Sequence, residues 1–176
     1  MDGMMANYGT VSGADAYHLD AGNAAWTGSD ADKLAALTRA SAYVDSLALR
    51  KRKNGSVYTM FGGTKLGGRD QVLAWPRIGA IDVDGLEVPS SNVPFEVEFA
   101  TYEAALRELE QPGYLSPDYI PAQVIKREKV DVLETEYVGA SSGVENPLKP
   151  VASIVQSMIA PLLVAWGGQD VGVMVV

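Results

Sequence analysis

The sequence predicts a mainly α protein: a small helical bundle with one β-hairpin and long protruding loops. Two observations carry that prediction. Apolar residues recur at helical spacing in three well-separated segments, and one segment, VIKREKVDVLETEYV at 124–138, alternates as two short strands. A third observation, the glycine-rich connection over 54–92, predicts the loops, because connections of that length inside one domain usually serve a function or move. At 176 residues, 47% hydrophobic and 20% charged, the chain has room for one core. The expected layout is an N-terminal arm over 1–12, a helical domain over 13–166 and an apolar tail over 167–176.

Taken in order, Ala14 to Gly22 reads as a short helix, and Trp26 in the Asn23-Ala-Ala-Trp26 turn reads as a packing anchor. Ser29 is a strong N-cap, with Asp30 and Asp32 in the first turn where carboxylates suit the helix dipole. Leu34, Leu37, Ala40, Val44 and Leu47 then mark one face of a helix ending near Leu49. The basic run Arg50, Lys51, Arg52, Lys53 follows. Its plain reading is cations at a helix C-terminus with Asn54-Gly55 as the stop; its sharper reading is a patch facing phosphate. Val57 to Phe61 is expected to pair with Thr64 to Leu66 across Gly62-Gly63.

Ser90, Ser91 or Asn92 is expected to cap the next helix, with Pro94 near its first turn. Phe95, Phe99, Tyr102, Leu106 and Leu109 recur at 4, 3, 4 and 3, an apolar stripe expected to face the core. Glu96, Glu98, Glu103, Glu108 and Glu110 are expected on its solvated side. Gln111-Pro-Gly113 ends that helix, and 124–138 forms the hairpin, with basic residues on its first strand and acidic ones on its second. Val151 to Leu162 reads as a last amphipathic helix before Gly167-Gly168.

Little in the sequence points to catalysis. Without cysteine there are no disulfides, thiolate metal sites or Cys nucleophile, and His18 is the one histidine. GGTKLGG at 62–68 lacks the Gly-Lys-Ser/Thr ending of a phosphate loop. Asp82-Val-Asp84-Gly85-Leu-Glu87 lacks the ligand spacing of a calcium loop and reads as a turn whose carboxylates cap backbone. No enzyme, metal or cofactor is expected. The N-terminus has neither the basic nor the apolar region of a signal peptide, and the longest apolar run, broken by Pro161, is too short to span a bilayer. A soluble protein with no membrane partner is expected. The net charge, 14 − 22 = −8, opposes nonspecific nucleic-acid binding at long range, though a local basic patch escapes that argument.

The ordered set Ala14–Tyr17, Asn23–Trp26, Leu37–Asp45, Leu73–Arg77, Asp82–Gly85, Val93–Leu109, Ile125–Val130 and Glu134–Tyr137 resembles the head–tail connector (adaptor, or head-completion) proteins of tailed bacteriophages. The resemblance covers roughly residues 10–165. It implies a virion protein, assembled in the host bacterial cytoplasm, that forms a ring of usually twelve copies between the portal and the next neck or tail component. Double-stranded DNA would pass through the ring without sequence-specific binding. On that reading the tail residues Val171, Val173, Met174, Val175 and Val176 are candidates for portal contact, and Trp75, Pro76 and Arg77 for contact with a neighbouring subunit. Many such sequences carry the label DnaT-like single-stranded-DNA-binding protein, which supplies the alternative: a replication accessory using Arg50–Lys53, with Tyr58 and Phe61 as stacking aromatics.

Overall fold

The computed structural model describes residues 7–116 and 153–164, together with the backbone of 128–130 and 133–135. Among these residues the fold is mainly α, as the periodicity predicts. Helices α1 (Val11–Asp20), α2 (Asp30–Leu47), α3 (Phe95–Glu110) and α4 (Ser153–Ile159) are joined by three two-stranded antiparallel pairs. Helices α2 and α3 form the central pair, and α1 and α4 each pack against both.

Helix α2 begins where its chemistry says it should. The Ser29 hydroxyl accepts from the Asp32 N–H at 3.2 Å, and Asp30 and Asp32 sit in the first turn. Its buried face is Ala36, Leu37, Ala40, Ser41, Tyr43, Val44 and Leu47, while Leu34 faces outward. Helix α1 starts earlier than expected, at Val11, because the Thr10 hydroxyl accepts from the Gly13 N–H at 2.9 Å and caps it. The expected N-terminal arm therefore ends in structure: Tyr8 is buried in the core.

Helix α3 corrects the sequence reading most. Its buried face centres on Val97, Ala100, Thr101, Ala104 and Ala105; of the expected stripe, Tyr102 is buried and Leu106 and Leu109 pack against the core, but Phe95 is 63% exposed and Phe99 38%. Small residues on both α2 and α3 let the helix backbones approach closely, a gain in packing that side-chain size alone does not reveal. Two of the expected solvated glutamates, Glu103 and Glu108, are buried. Glu108 accepts from Arg39 Nε at 2.6 Å and from the Gly113 and Leu115 N–H groups, so it ties the end of α3 to the turn that follows. The helix has Pro94 at its N-cap with no side-chain cap, so Ser90, Ser91 and Asn92 do not play that part.

The loop strands pair differently from the expected arrangement. Strand β1 (Leu49–Lys51) pairs with β2 (Val57–Thr59), and β3 (Thr64–Lys65) pairs with β4 (Arg77–Ile78). Asn54-Gly55 is the cause of the first pairing. Gly55 has φ +85° and its N–H donates to the Arg52 carbonyl, making a tight hairpin turn, the strongest short-range hairpin signal a sequence carries. Gly63 fixes the second: at φ +63° a Cβ there would lie 2.2 Å from the Ile78 carbonyl oxygen, so only glycine lets β4 approach.

The expected hairpin near 124–138 is present as β5 (Glu128–Val130) paired with β6 (Leu133–Thr135), in a register that sets Lys129 across from Glu134. Helix α4 is shorter than expected and tightens into a 3₁₀ turn over Ala160–Leu162 at Pro161, burying Val155, Ile159 and Leu162.

Candidate functional site

The basic run Arg50–Lys53 is split between strand β1 and the turn after it, rather than lying at the helix end. The plain reading of cations at a helix terminus holds for one residue: Arg50 donates from Nη1 to the Leu47 and Leu49 carbonyls at 2.8 Å and satisfies the end of α2. Lys51, Arg52 and Lys53 are exposed, and among the described residues no carboxylate pairs with Lys51 or Lys53. The strand register places Arg50 across from Tyr58 and Lys51 across from Val57. Alternation then brings Arg52 to the Arg50 face, where its guanidinium lies 5.1 Å from the Tyr58 ring centroid.

Of the two expected stacking aromatics, only Tyr58 is placed for it. Tyr58 is half-buried; Phe61 is buried and packs edge-on to Trp75, with centroids 5.5 Å apart. Lys65 is engaged as a loop strut, donating to the Gln71 and Val72 carbonyls, and Arg69 is exposed on a short 3₁₀ turn.

The charge of this region is one-sided. From Ser46 to Arg69 the sequence holds six cations (Arg50, Lys51, Arg52, Lys53, Lys65, Arg69) and no Asp or Glu, so the remainder of the chain carries −8 − 6 = −14. That segregation was legible in the sequence and is hidden by the net charge. At about 0.1 M salt, charges beyond ~10 Å are largely screened, so an approaching phosphate responds to the hairpin rather than to the whole molecule.

The Trp75-Pro76-Arg77 segment, expected to reach a neighbouring subunit, turns inward instead. Trp75 and Arg77 are buried, and the Arg77 guanidinium donates to the carbonyls of Phe61, Gly62, Gly63 and Ala74. A planar five-donor group is what such a cluster of carbonyls needs, and burial pulls the Arg77 pKa below its ordinary value. The tail candidates Val171, Val173, Met174, Val175 and Val176 lie outside the described residues.

His18 sits in the core, with Nε2 3.2 Å from the Tyr102 carbonyl and Nδ1 3.0 Å from the Asn23 amide. The carbonyl can only accept, so Nε2 carries the proton and Nδ1 accepts from Asn23. Asp15, the one carboxylate near it at helical spacing, is taken by Lys33 at 2.8 Å and by the Trp26 indole N–H at 2.7 Å. These two donors hold the Asp15 carboxyl below its ordinary pKa. A shallow cavity of about 330 Å³ opens between them, lined by Asp15, His18, Asn23, Trp26 and Lys33 among others. In the Asp82–Glu87 loop, Asp82 Oδ1 accepts from the Asp84 and Leu86 N–H groups, a backbone cap.

A family model described as "Putative DnaT-like ssDNA binding protein" matches residues 5–176. The chain belongs to this DnaT-like family. No curated protein and no solved structure matches the chain. Membership overturns the connector assignment made from the ordered motifs. The twelve-copy ring, the portal and neck partners and the channel for double-stranded DNA go with it, because the match over nearly the whole chain points to single-stranded DNA.

Proposed function

We propose that this protein binds single-stranded DNA through the β1–β2 hairpin, with Lys51 and Lys53 contacting phosphates and the Arg52–Tyr58 pair stacking on a base. Membership of the DnaT-like family supports the ligand, and the acid-free basic hairpin supports the place. A guanidinium lying on a tyrosine ring presents a flat cationic face, which suits a base exposed in a single strand and not one buried in a duplex. The action proposed is binding alone, with no catalytic step and no cofactor.

The experiment is fluorescence anisotropy of labelled oligo(dT) at 50 and 200 mM salt, roughly the range over which phosphate contacts reveal themselves. The variant is Lys51→Glu/Arg52→Glu/Lys53→Glu, at positions exposed enough to leave the fold intact. Each lost phosphate contact removes about 0.7 from the slope of log K against log salt for a single strand. Loss of oligo(dT) binding with unchanged melting supports the hairpin. Binding that keeps its affinity and its slope in the triple variant would overturn it.

A further inference from the structure

Among the described residues, helix α3 leaves Phe95 and, in part, Phe99 uncovered. Phe95 and Phe99 stand on the side opposite its buried alanines, with ring centroids 5.8 Å apart, and Tyr17 of α1 lies 5.0 Å from Phe99. At about 100° per residue, Glu98 stands on one flank of this stripe and Glu96 on the other. Among the described residues neither carboxylate has an ion-pair partner, whereas Glu103 is held by the Tyr17 hydroxyl and by Arg107. Glu98 is half-buried, and burial alone pushes its pKa up. From Ile78 to Leu106 the sequence has six acids (Asp82, Asp84, Glu87, Glu96, Glu98, Glu103) and no Lys or Arg. This is the reverse of the hairpin segment.

Exposed aromatic clusters mark docking surfaces, and their flanking charges select the partner. A DNA strand stacking bases on Phe95 and Phe99 would bring its phosphates beside Glu96 and Glu98, where like charge opposes it. A cationic polypeptide meets both features at once. Its Arg or Lys groups pair the two carboxylates and lie over ring faces, while its apolar side chains cover the rings. We propose that the Tyr17–Phe95–Phe99 face, flanked by Glu96 and Glu98, docks a basic segment of a partner protein, one that sets Arg or Lys side chains among apolar ones. This surface uses none of the residues assigned to DNA.

The test is an amide NMR titration of the full chain with three probes: a synthetic peptide alternating Arg and Leu, the same peptide with Glu for Arg, and oligo(dT). The expected result is that the Arg peptide alone shifts the amides of Tyr17 and of residues 95–99. Phe95→Ser/Phe99→Ser should weaken it at least tenfold. Glu96→Gln/Glu98→Gln, which keeps shape and helix, should weaken it and flatten its salt dependence. Equal binding of the Arg and Glu peptides, or none of the Arg peptide, overturns the proposal. Shifts of these amides by oligo(dT) would make the face a base-stacking surface instead. Shifts that grow with protein concentration alone would assign it to a second copy of the chain.

Discussion

Tyr8 donates its hydroxyl to Asp45 Oδ1 at 2.6 Å, joining the N-terminal segment to the last turns of α2 across 37 residues. The same hydroxyl accepts from the Trp75 N–H at 3.0 Å, and Asp45 Oδ2 accepts from the Ala74 N–H at 2.8 Å. Three segments distant in sequence thus meet at one buried knot. Burial and the neighbouring carboxylate raise the Tyr8 pKa far above the ordinary tyrosine value, so it stays a donor. The loop carrying Trp75 and Arg77 is held from one side by this knot and from the other by the four carbonyls on Arg77.

Tyr8→Phe should therefore destabilise the fold although it removes one oxygen. It strands the Trp75 N–H and leaves Asp45 short of a donor, a loss of about 1–3 kcal/mol. Urea denaturation of the full chain reads it, and a midpoint equal to wild type would show that the knot contributes nothing net.

Glu108 and Arg39 form an ion pair whose two ends should behave unequally. The Glu108 side chain is 1% exposed and that of Arg39 51%. Arg39→Ala should cost less than about 1 kcal/mol, as for exposed pairs. Glu108→Ala also abandons the Gly113 and Leu115 N–H groups and should cost about 2–4 kcal/mol. Similar losses in the two variants would mean that the pair, not the backbone cap, supplies the stability.

His18 should make stability fall in mild acid. Burial lowers its folded pKa below the ordinary 6.5, so the folded state prefers the neutral ring and the unfolded chain binds the proton more readily. Its contribution is complete above the unfolded pKa and is lost as pH falls from there through the folded pKa. Melting from pH 7.5 down to 5 should show a steeper fall for wild type than for His18→Gln, by at most about 1.4 kcal/mol per pH unit. Parallel curves would exclude this residue as the cause.

Tyr58→Leu separates stacking from charge in the hairpin. If a base rests on the Arg52–Tyr58 pair, oligo(dT) affinity should drop by about 1–3 kcal/mol while the salt slope stays at its wild-type value. A reduced slope with unchanged affinity at low salt would instead make Tyr58 a support for the cations.

The sequence by itself determined the mainly α class, helix α2 with its Ser29 cap, the β5–β6 pairing and the acid-free basic segment. Each is set by neighbours a few residues apart: a cap, a period, an alternation or a local charge count. The Asn54-Gly55 hairpin does not belong with these: the pair reads equally as a helix stop, and only the structure shows it turning β1 onto β2. Only tertiary structure decided which face of α3 is buried. The period puts Phe95 and Phe99 on one stripe with Tyr102, Leu106 and Leu109, yet only the last three meet the core, because the small residues beside them set how closely α2 can approach. It also decided that Arg77, Glu108 and Tyr8 work inside the molecule, because their partners are backbone groups and side chains up to 69 residues away. Local physics chose the elements, and the close packing of α2 on α3 left Phe95 and Phe99 outside.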